Sequence, residues 1–292
     1  MSIGGFRAFC LLSALTLLAP TASAAEFLWE VVSVTNRAYL FGTIHAGKKD
    51  WYPLAGPIEE AFADSKVLVV EADISNIAAM SQAAPPTYDP PDALAKHVPP
   101  ADYARFLKLL PRYGMHEAQL AQLKPFMAVS VLMFNEWARL GYVPRFGVDS
   151  YLIDKAKAEA KPIKEIEGLQ TQVQLLDSIT EAEHRLAFDG TLKALESGLT
   201  GEQITGMVNA WQSGDPKLML EIAQRYNEVI PGAKELEEKF VWSRHGSMVA
   251  KIEGYLNESK DRHFIAVGSL HLAGPRGLVE ALRKRGYIVR QR

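Results

Sequence analysis

Apolar positions follow two different patterns along this chain. Near its ends they come in short runs, and through the middle they recur every three or four residues. Residues 27–34 and 38–42 are apolar and rich in β-formers, split by Thr35-Asn36-Arg37. That spacing predicts a hairpin. Residues 66–71 (KVLVVE) are almost continuously apolar, which suits a strand covered on both faces and so a sheet with helices on each side. Residues 56–65 predict a short amphipathic helix. Spacings of three and four predict further helices over 101–113, 116–123, 125–140, 148–160, 171–195, 200–213, 216–227 and 234–257. Short strands are expected at 162–166, 263–267 and 287–290, and a helix at 275–285. Residues 84–100 hold six prolines, Pro85, Pro86, Pro90, Pro91, Pro99 and Pro100. Because proline removes donors and fixes φ, this stretch predicts an exposed, irregular excursion. Together the pattern predicts an α/β fold: a mixed central β-sheet flanked by helices, with a large helical middle segment. No linker interrupts it, so residues 25–292 are expected to form a single domain.

The first 24 residues stand apart from this pattern. Arg7 is their one charge, followed by an apolar stretch over 8–19, Pro20 and the small residues Thr21-Ala22-Ser23-Ala24-Ala25. A basic start, a short apolar core and an A-x-A end predict a secretory signal cut after Ala24. The apolar run is shorter than the roughly 20 residues that span a bilayer. The expected product is exported, periplasmic or secreted, with no transmembrane segment.

Composition narrows the chemistry. Of 292 residues, 48% are hydrophobic and 23% charged, the mix of a packed domain rather than a disordered chain. The net charge of −2 and a pI near 6.4 do not suit a protein that neutralises phosphates, so no nucleic-acid partner is expected. The single cysteine, Cys10, falls within the signal segment. That excludes a disulfide framework and any cysteine-based zinc site, and a metal site here must use histidine and carboxylates.

A short repeat supplies such groups. Residues 39–45 read Tyr-Leu-Phe-Gly-Thr-Ile-His, and 264–271 read Phe-Ile-Ala-Val-Gly-Ser-Leu-His. Each is an apolar strand, then glycine, two residues and histidine. The strand fixes direction, the glycine allows close backbone approach, and the imidazole is presented at the strand's C-terminal edge, where open α/β sheets bind ligands. A third apolar strand, Val67–Val70, ends in Glu71, whose charge is expensive there unless paired or metal-bound. His45, His271 and Glu71 make a ligand set for a divalent metal ion, Mn, Co, Zn or Fe, with positions left for water. The alternative is that each histidine is simply a satisfied polar residue at a strand end.

These residues lie within an ordered set of motifs. Phe27-Leu28-Trp29-Glu30-Val31 opens it, and Leu40-Phe41-Gly42-Thr43-Ile44-His45 and Val69-Val70-Glu71-Ala72-Asp73 follow. Then come Phe146-Gly147-Val148-Asp149-Ser150-Tyr151-Leu152 and Trp211-Gln212-Ser213-Gly214-Asp215. Val267-Gly268-Ser269-Leu270-His271-Leu272-Ala273-Gly274 and Leu282-Arg283-Lys284-Arg285-Gly286-Tyr287 complete it. In this the sequence resembles the TraB/GumN family, whose relatives include the Tiki proteases. The resemblance implies an α/β fold and a metal-dependent hydrolase site. Its proposed catalytic elements, the paired G-x-x-H motifs and the glutamate, fall on His45, His271 and Glu71. Where the family often has a leucine-glutamate pair after the middle strand, this chain has Ile166-Glu167. Where the family often has Arg-Asn, it has Arg244-His245, so Arg244 can keep its role while His245 is not assigned as a ligand.

Supporting residues each carry two explanations. Glu167 is a general base or extra ligand, or else half of a structural ion pair. Arg145 and Arg244 would bind a substrate carboxylate or steady an oxyanion, or form salt bridges. Asp73 and Asp149 are expected to cap helices; the alternatives are a second metal ligand for Asp73 and a bond to a ligand histidine for Asp149. Thr43 and Ser269 satisfy their turns, and His97, His116, His184 and His263 are expected at the surface. With no G-x-S-x-G elbow, a serine hydrolase is disfavoured. The leading expectation is a metal-dependent, peptidase-like hydrolase of the cell envelope, acting on a peptide or small-molecule substrate, with Glu71, Glu167 and Arg244 as its catalytic residues. One alternative is a non-catalytic envelope protein that binds a peptide, metal or haem-like ligand. Another is a structural role in envelope or polysaccharide export.

Overall fold

The structure, a computed structural model, describes residues 26–76, 79, 86–258 and 260–292; the expected signal segment over 1–24 lies outside the described residues. A six-stranded sheet organises them, in the order β4-β3-β5-β2-β1-β6. Its strands are β1 Leu28–Val32, β2 Arg37–Thr43, β3 Val67–Val70, β4 Ile163–Glu165, β5 His263–Gly268 and β6 Ile288–Gln291. The sheet is mixed: β2, β5, β3 and β4 run parallel, while β1 is antiparallel to both β2 and β6. The expected hairpin is the β1–β2 pair, closing with Val32 opposite Arg37. Every residue of β3 is buried, as are the first five of β5, as parallel strands covered on both faces require.

The helices are α1 Gly56–Asp64, α2 Pro100–Leu109, α3 Pro125–Arg139, α4 Val148–Ala158, α5 Leu169–Asp177, α6 Glu181–Ser197, α7 Leu199–Gln212, α8 Pro216–Val229, α9 Ala233–Phe240, α10 His245–Glu258 and α11 Leu278–Lys284. None among the described residues is long and apolar enough to cross a membrane. Two apolar cores form. One packs Leu40, Phe41, Val69, Phe264 and Ile265 of the sheet against Leu152 and Ile252 of α4 and α10. The other lies within the helical middle, around Leu94, Phe106, Leu132, Phe188 and Leu192.

Four expectations are corrected. The helix expected over 171–195 is two, because Thr180 starts a new one: its hydroxyl accepts from Glu183 N–H at 3.3 Å while Glu183 accepts from Thr180 N–H at 2.7 Å, a capping box. The helix expected over 234–257 is also two, divided by a 3-10 turn over Trp242–Arg244. Only a 3-10 turn, Glu117–Gln119, forms within 116–123. The proline-rich stretch is not a free excursion either. Pro90, Pro91, Pro99 and Pro100 face solvent, but Leu94 and Val98 are buried in the second core, Tyr88 N–H donates to Gln122 O at 2.7 Å, and the Tyr88 and His97 rings stack 3.8 Å apart. Pro85 lies outside the described residues.

Candidate functional site

The parallel strands β2, β5 and β3 end at nearly the same level, with Thr43 paired to Gly268 and Val70 to Ala266. The chain therefore leaves the sheet at three neighbouring points, carrying His45, His271 and Glu71 to one edge. Gly268 lies between them. A Cβ placed there would sit 3.4 Å from Glu71 Oε1, 3.5 Å from His271 Cδ2 and 3.9 Å from His45 Nε2. The glycine thus leaves a cradle that the three candidate side chains surround.

Each of the three is held from behind. Glu71 Oε1 accepts the Gly268 N–H at 2.7 Å and Oε2 accepts Arg244 Nη2 at 2.6 Å. Burial by itself would raise the Glu71 pKa, but His271, Arg244 and His45 beside it and the Gly268 N–H together hold it below the usual carboxylate range, so Glu71 is a carboxylate. His45 Nδ1 lies 2.8 Å from Asp149 Oδ2, and Asp149 Oδ1 accepts from the Thr43 hydroxyl at 2.7 Å. The Asp149 charge raises the His45 pKa, although the imidazole keeps 65% of its surface exposed. His271 is buried, and burial pushes its pKa down to about 3, so its ring is neutral. Its Nδ1 lies 2.9 Å from His245 Nε2, and His245 Nδ1 lies 2.7 Å from the backbone carbonyl of Arg276. Burial also lowers the His245 pKa. Such partners on the outer ring nitrogen are what fix metal-ligating histidines.

Arg244 reaches this group because the turn over Trp242–Arg244 breaks the helical run. Its guanidinium pairs bidentately with Glu167, through Nε at 2.9 Å to Oε1 and through Nη2 to Oε2. It also approaches His271 Nε2 to 3.4 Å. Glu167 follows β4, and its own N–H donates to the Glu71 carbonyl at 3.1 Å. The structure therefore brings His45, Glu71, His271, Glu167 and Arg244 together. Arg145 stays outside the group, exposed, its guanidinium 4.5 Å above the Phe146 ring.

Other residues depart from expectation. Asp149 does not cap α4, where Gly147 holds the N-cap position; its carboxylate turns instead to His45 and Thr43. Asp73 accepts from Ser75 N–H at 3.0 Å, closing a turn. His184 and His263 are not at the surface: they are 2% and 0% exposed, one accepting Phe126 N–H at 3.3 Å, the other stacked on Tyr255. Sequence reasoning left His245 without a part at the site. The one signal for it was its place beside Arg244 where the family often has asparagine.

Among the described residues, no three His, Cys, Asp or Glu side chains are gathered as a metal-ligand cluster. The donors nevertheless fit a divalent ion in kind and charge. Two imidazoles with anchored outer nitrogens and a carboxylate line a cradle that one Cβ would fill. Around it the carboxylates Glu71, Glu167 and Asp149 outnumber the guanidinium of Arg244 and the His45 imidazole, whose Asp149-stabilised proton a bound ion would displace.

Comparison with known proteins identifies the family. The TraB/PrgY/gumN family profile matches residues 27–291. The chain is 23% identical over 271 residues to the uncharacterized protein YbaP of Escherichia coli K12, covering 88% of this chain and 94% of that one. The YbaP of Shigella flexneri matches over the same lengths. It is also 24% identical over 311 residues to the metalloprotease TIKI2 of Xenopus tropicalis, covering 90% of this chain and 59% of that protein. No solved structure matches significantly. With its family profile matched over nearly its whole length, the chain belongs to the TraB/PrgY/gumN family.

Proposed function

We propose that this TraB/PrgY/gumN protein is a metal-dependent hydrolase of the cell envelope, acting on peptide bonds. The observation that carries the proposal is the cradle over Gly268, with His45, His271 and Glu71 around it. Those three residues would hold the ion, Mn, Co, Zn or Fe. When bound, it would supply Lewis acidity toward a scissile carbonyl and lower the pKa of its water toward about 7. Asp149 and His245 keep the two imidazoles in place. Arg244, with five N–H donors and no acceptor, steadies the developing oxyanion. Glu167, its bidentate partner, would take the proton of the attacking water. A cavity of about 260 Å3 beside Arg244, lined by Glu167, Thr171, Gln172, Gln174, Leu175 and Ser178, offers amides and hydroxyls to a peptide backbone.

The test uses mature protein purified without a histidine tag. Metal content is measured, and a peptide library is digested with Mn, Co, Zn or Fe added singly and with chelator. The proposal expects metal-dependent cleavage that Glu71→Gln abolishes. Cleavage that survives chelation, or none with any metal, overturns it. A second reading has one observation in its favour: both oxygens of Glu71 and of Glu167 are already engaged. A site so neutralised suits an envelope protein that binds a peptide, metal or haem-like ligand without turnover, and peptide binding without cleavage would support it. Export is part of the proposal, residues 25–292 acting as one unit after cleavage at Ala24. N-terminal sequencing of the periplasmic or secreted protein checks it, and a retained Met1 refutes it.

A further inference from the structure

Four groups at the site form a hydrogen-bonded line whose protons are assigned from its Arg276 end. At one end stands the backbone carbonyl of Arg276, which can only accept. Its partner at 2.7 Å is His245 Nδ1, so that nitrogen carries the hydrogen. At the other end stands the Arg244 guanidinium, which can only donate. Its Nη1 approaches His271 Nε2 to 3.4 Å, a long contact that suits a bare nitrogen but does not by itself fix it, since Glu71 Oε1 lies 3.7 Å from the same nitrogen. Between them His245 Nε2 and His271 Nδ1 are 2.9 Å apart, and one hydrogen must lie on that line. Since neutral His245 carries its hydrogen on Nδ1, its Nε2 is bare and accepts, so the hydrogen on that line is on His271 Nδ1 and His271 Nε2 is bare. All the donors in the line therefore point the same way, toward Arg276.

The surroundings fix the line as well as its direction. His245 and His271 are 7% and 5% exposed, so neither ring can exchange its partner for water. The Trp242 ring packs edge-on against His245, centroids 5.4 Å apart at 83°, which holds the imidazole plane. His245 opens α10 immediately after the turn that delivers Arg244, so one local structure places two of the four groups.

We infer that His245 is a positioning residue that sets the tautomer of His271, keeping its Nε2 free of hydrogen. This rests on the proposed metal function only for its consequence. The tautomer itself is a property of the metal-free protein. A glutamine at 245 can put its carbonyl oxygen where Nε2 stands and keep the acceptor. A phenylalanine keeps the ring's shape and removes the acceptor. An asparagine reaches only as far as Nδ1, so it can address Arg276 but not His271.

The experiment records long-range ¹H–¹⁵N spectra of histidine-labelled, metal-free protein, with His271 assigned through its own variant. Zn²⁺ and Mn²⁺ binding are then titrated separately by calorimetry. Wild type should show His271 protonated at Nδ1 and bare at Nε2. His245→Phe, still folded by circular dichroism, leaves an Nδ1–H without an acceptor, so the proton should move to Nε2, where Glu71 Oε1 lies 3.7 Å away, and Zn²⁺ or Mn²⁺ binding should weaken by roughly 10–100-fold, the usual effect of losing such a partner. His245→Gln should restore both the tautomer and the binding, and His245→Asn should restore neither. An unmoved His271 signal in His245→Phe overturns the inference, as does a His245→Gln protein that behaves like His245→Phe. Wild type that takes up neither metal refutes the proposed function instead, and the tautomer spectra then decide the inference alone.

Discussion

The paired glycines of the two G-x-x-H turns should respond to alanine in opposite ways. A Cβ at Gly42 would meet the Phe27 ring at 2.4 Å and the Ser269 Cα at 3.1 Å. Phe27 is 1% exposed and cannot step aside. Gly42→Ala is therefore an overpacking change, which typically loses about 1–3 kcal/mol. At Gly268 the nearest atoms to the same methyl are at 3.4–3.9 Å, ordinary van der Waals distances. The backbone there, φ −51° and ψ 134°, is open to any L-residue. Gly268→Ala should leave stability unchanged or raise it by about 0.4–1 kcal/mol through the less flexible unfolded chain, a midpoint rise of no more than roughly 2–4 °C. Its N–H still donates to Glu71. The methyl nevertheless occupies the point that His45, Glu71 and His271 surround, and ligand bonds of about 2 Å leave no room for both. Gly268→Ala is therefore expected to be folded and at least tenfold weaker for Zn²⁺. Thermal melts and metal titration on the two variants check this. A Gly268→Ala protein that binds metal as wild type does would refute the cradle, and one that melts far below Gly42→Ala would refute the packing argument.

Three further outcomes follow from the same geometry. His271→Ala should fold but melt lower by about 1–3 kcal/mol, because it strands the buried acceptor His245 Nε2, and should lose metal; Val267→Ala should destabilise without changing metal affinity, as paired melts and titrations would show. Stability should fall as pH drops below about 6.5, since burial lowers the pKa of His184, His245, His263 and His271 in the folded chain while the unfolded chain takes up those protons. Each contributes up to about 1.4 kcal/mol per pH unit below the unfolded value, so His263→Phe, which keeps the stack on Tyr255, should flatten the denaturation profile between pH 6.5 and 5; an unchanged slope would show that His263 protonates freely.

The sheet and the inner residues of the site were legible because each is announced locally. KVLVVE and the two strand-Gly-x-x-His runs state their burial by composition alone, and parallel pairing then carries Glu71, His45 and His271 to the same edge. The residues behind them were harder to read. Asp149 lies 104 positions from His45, and its neighbours read equally well as a helix start, so capping was the natural assignment. His245 sits inside a helical pattern that shows no break at Val241, and the break depends on where Trp242 packs. His184 and His263 were misplaced because a histidine in an amphipathic helix or at a strand start carries no signal of which side it faces. The capping box at Thr180, by contrast, was present in the sequence as T-x-x-E and was simply overrun by the apolar spacing on either side.

Arg244 yields the last test, because in the metal-free protein it does for Glu71 what a bound cation would do. Glu71 and Glu167 expose only 12% and 5% of their side chains, and the guanidinium, 13% exposed, serves both. Replacing it with leucine leaves two buried carboxylates with no partner of opposite charge, a change of the kind that destabilises by about 3–5 kcal/mol. That penalty should shrink as pH falls toward the unfolded carboxylate pKa of about 4.3, since the stranded groups then take up protons in the folded state first. A divalent ion held by Glu71 relieves the same repulsion. Ion binding stabilises any folded protein that takes it up, by about 2.7 kcal/mol at a hundredfold excess over Kd. In wild type, part of the ion's attraction to Glu71 is already met by Arg244, and in Arg244→Leu it is not. Saturating Zn²⁺ or Mn²⁺ should therefore raise the melting midpoint of Arg244→Leu by more than that of wild type. Arg244→Lys, which keeps one charge but not the fork, should fall between. Equal shifts in all three proteins would show that the guanidinium and the ion do not share Glu71, and the ligand assignment of that residue would fall with it.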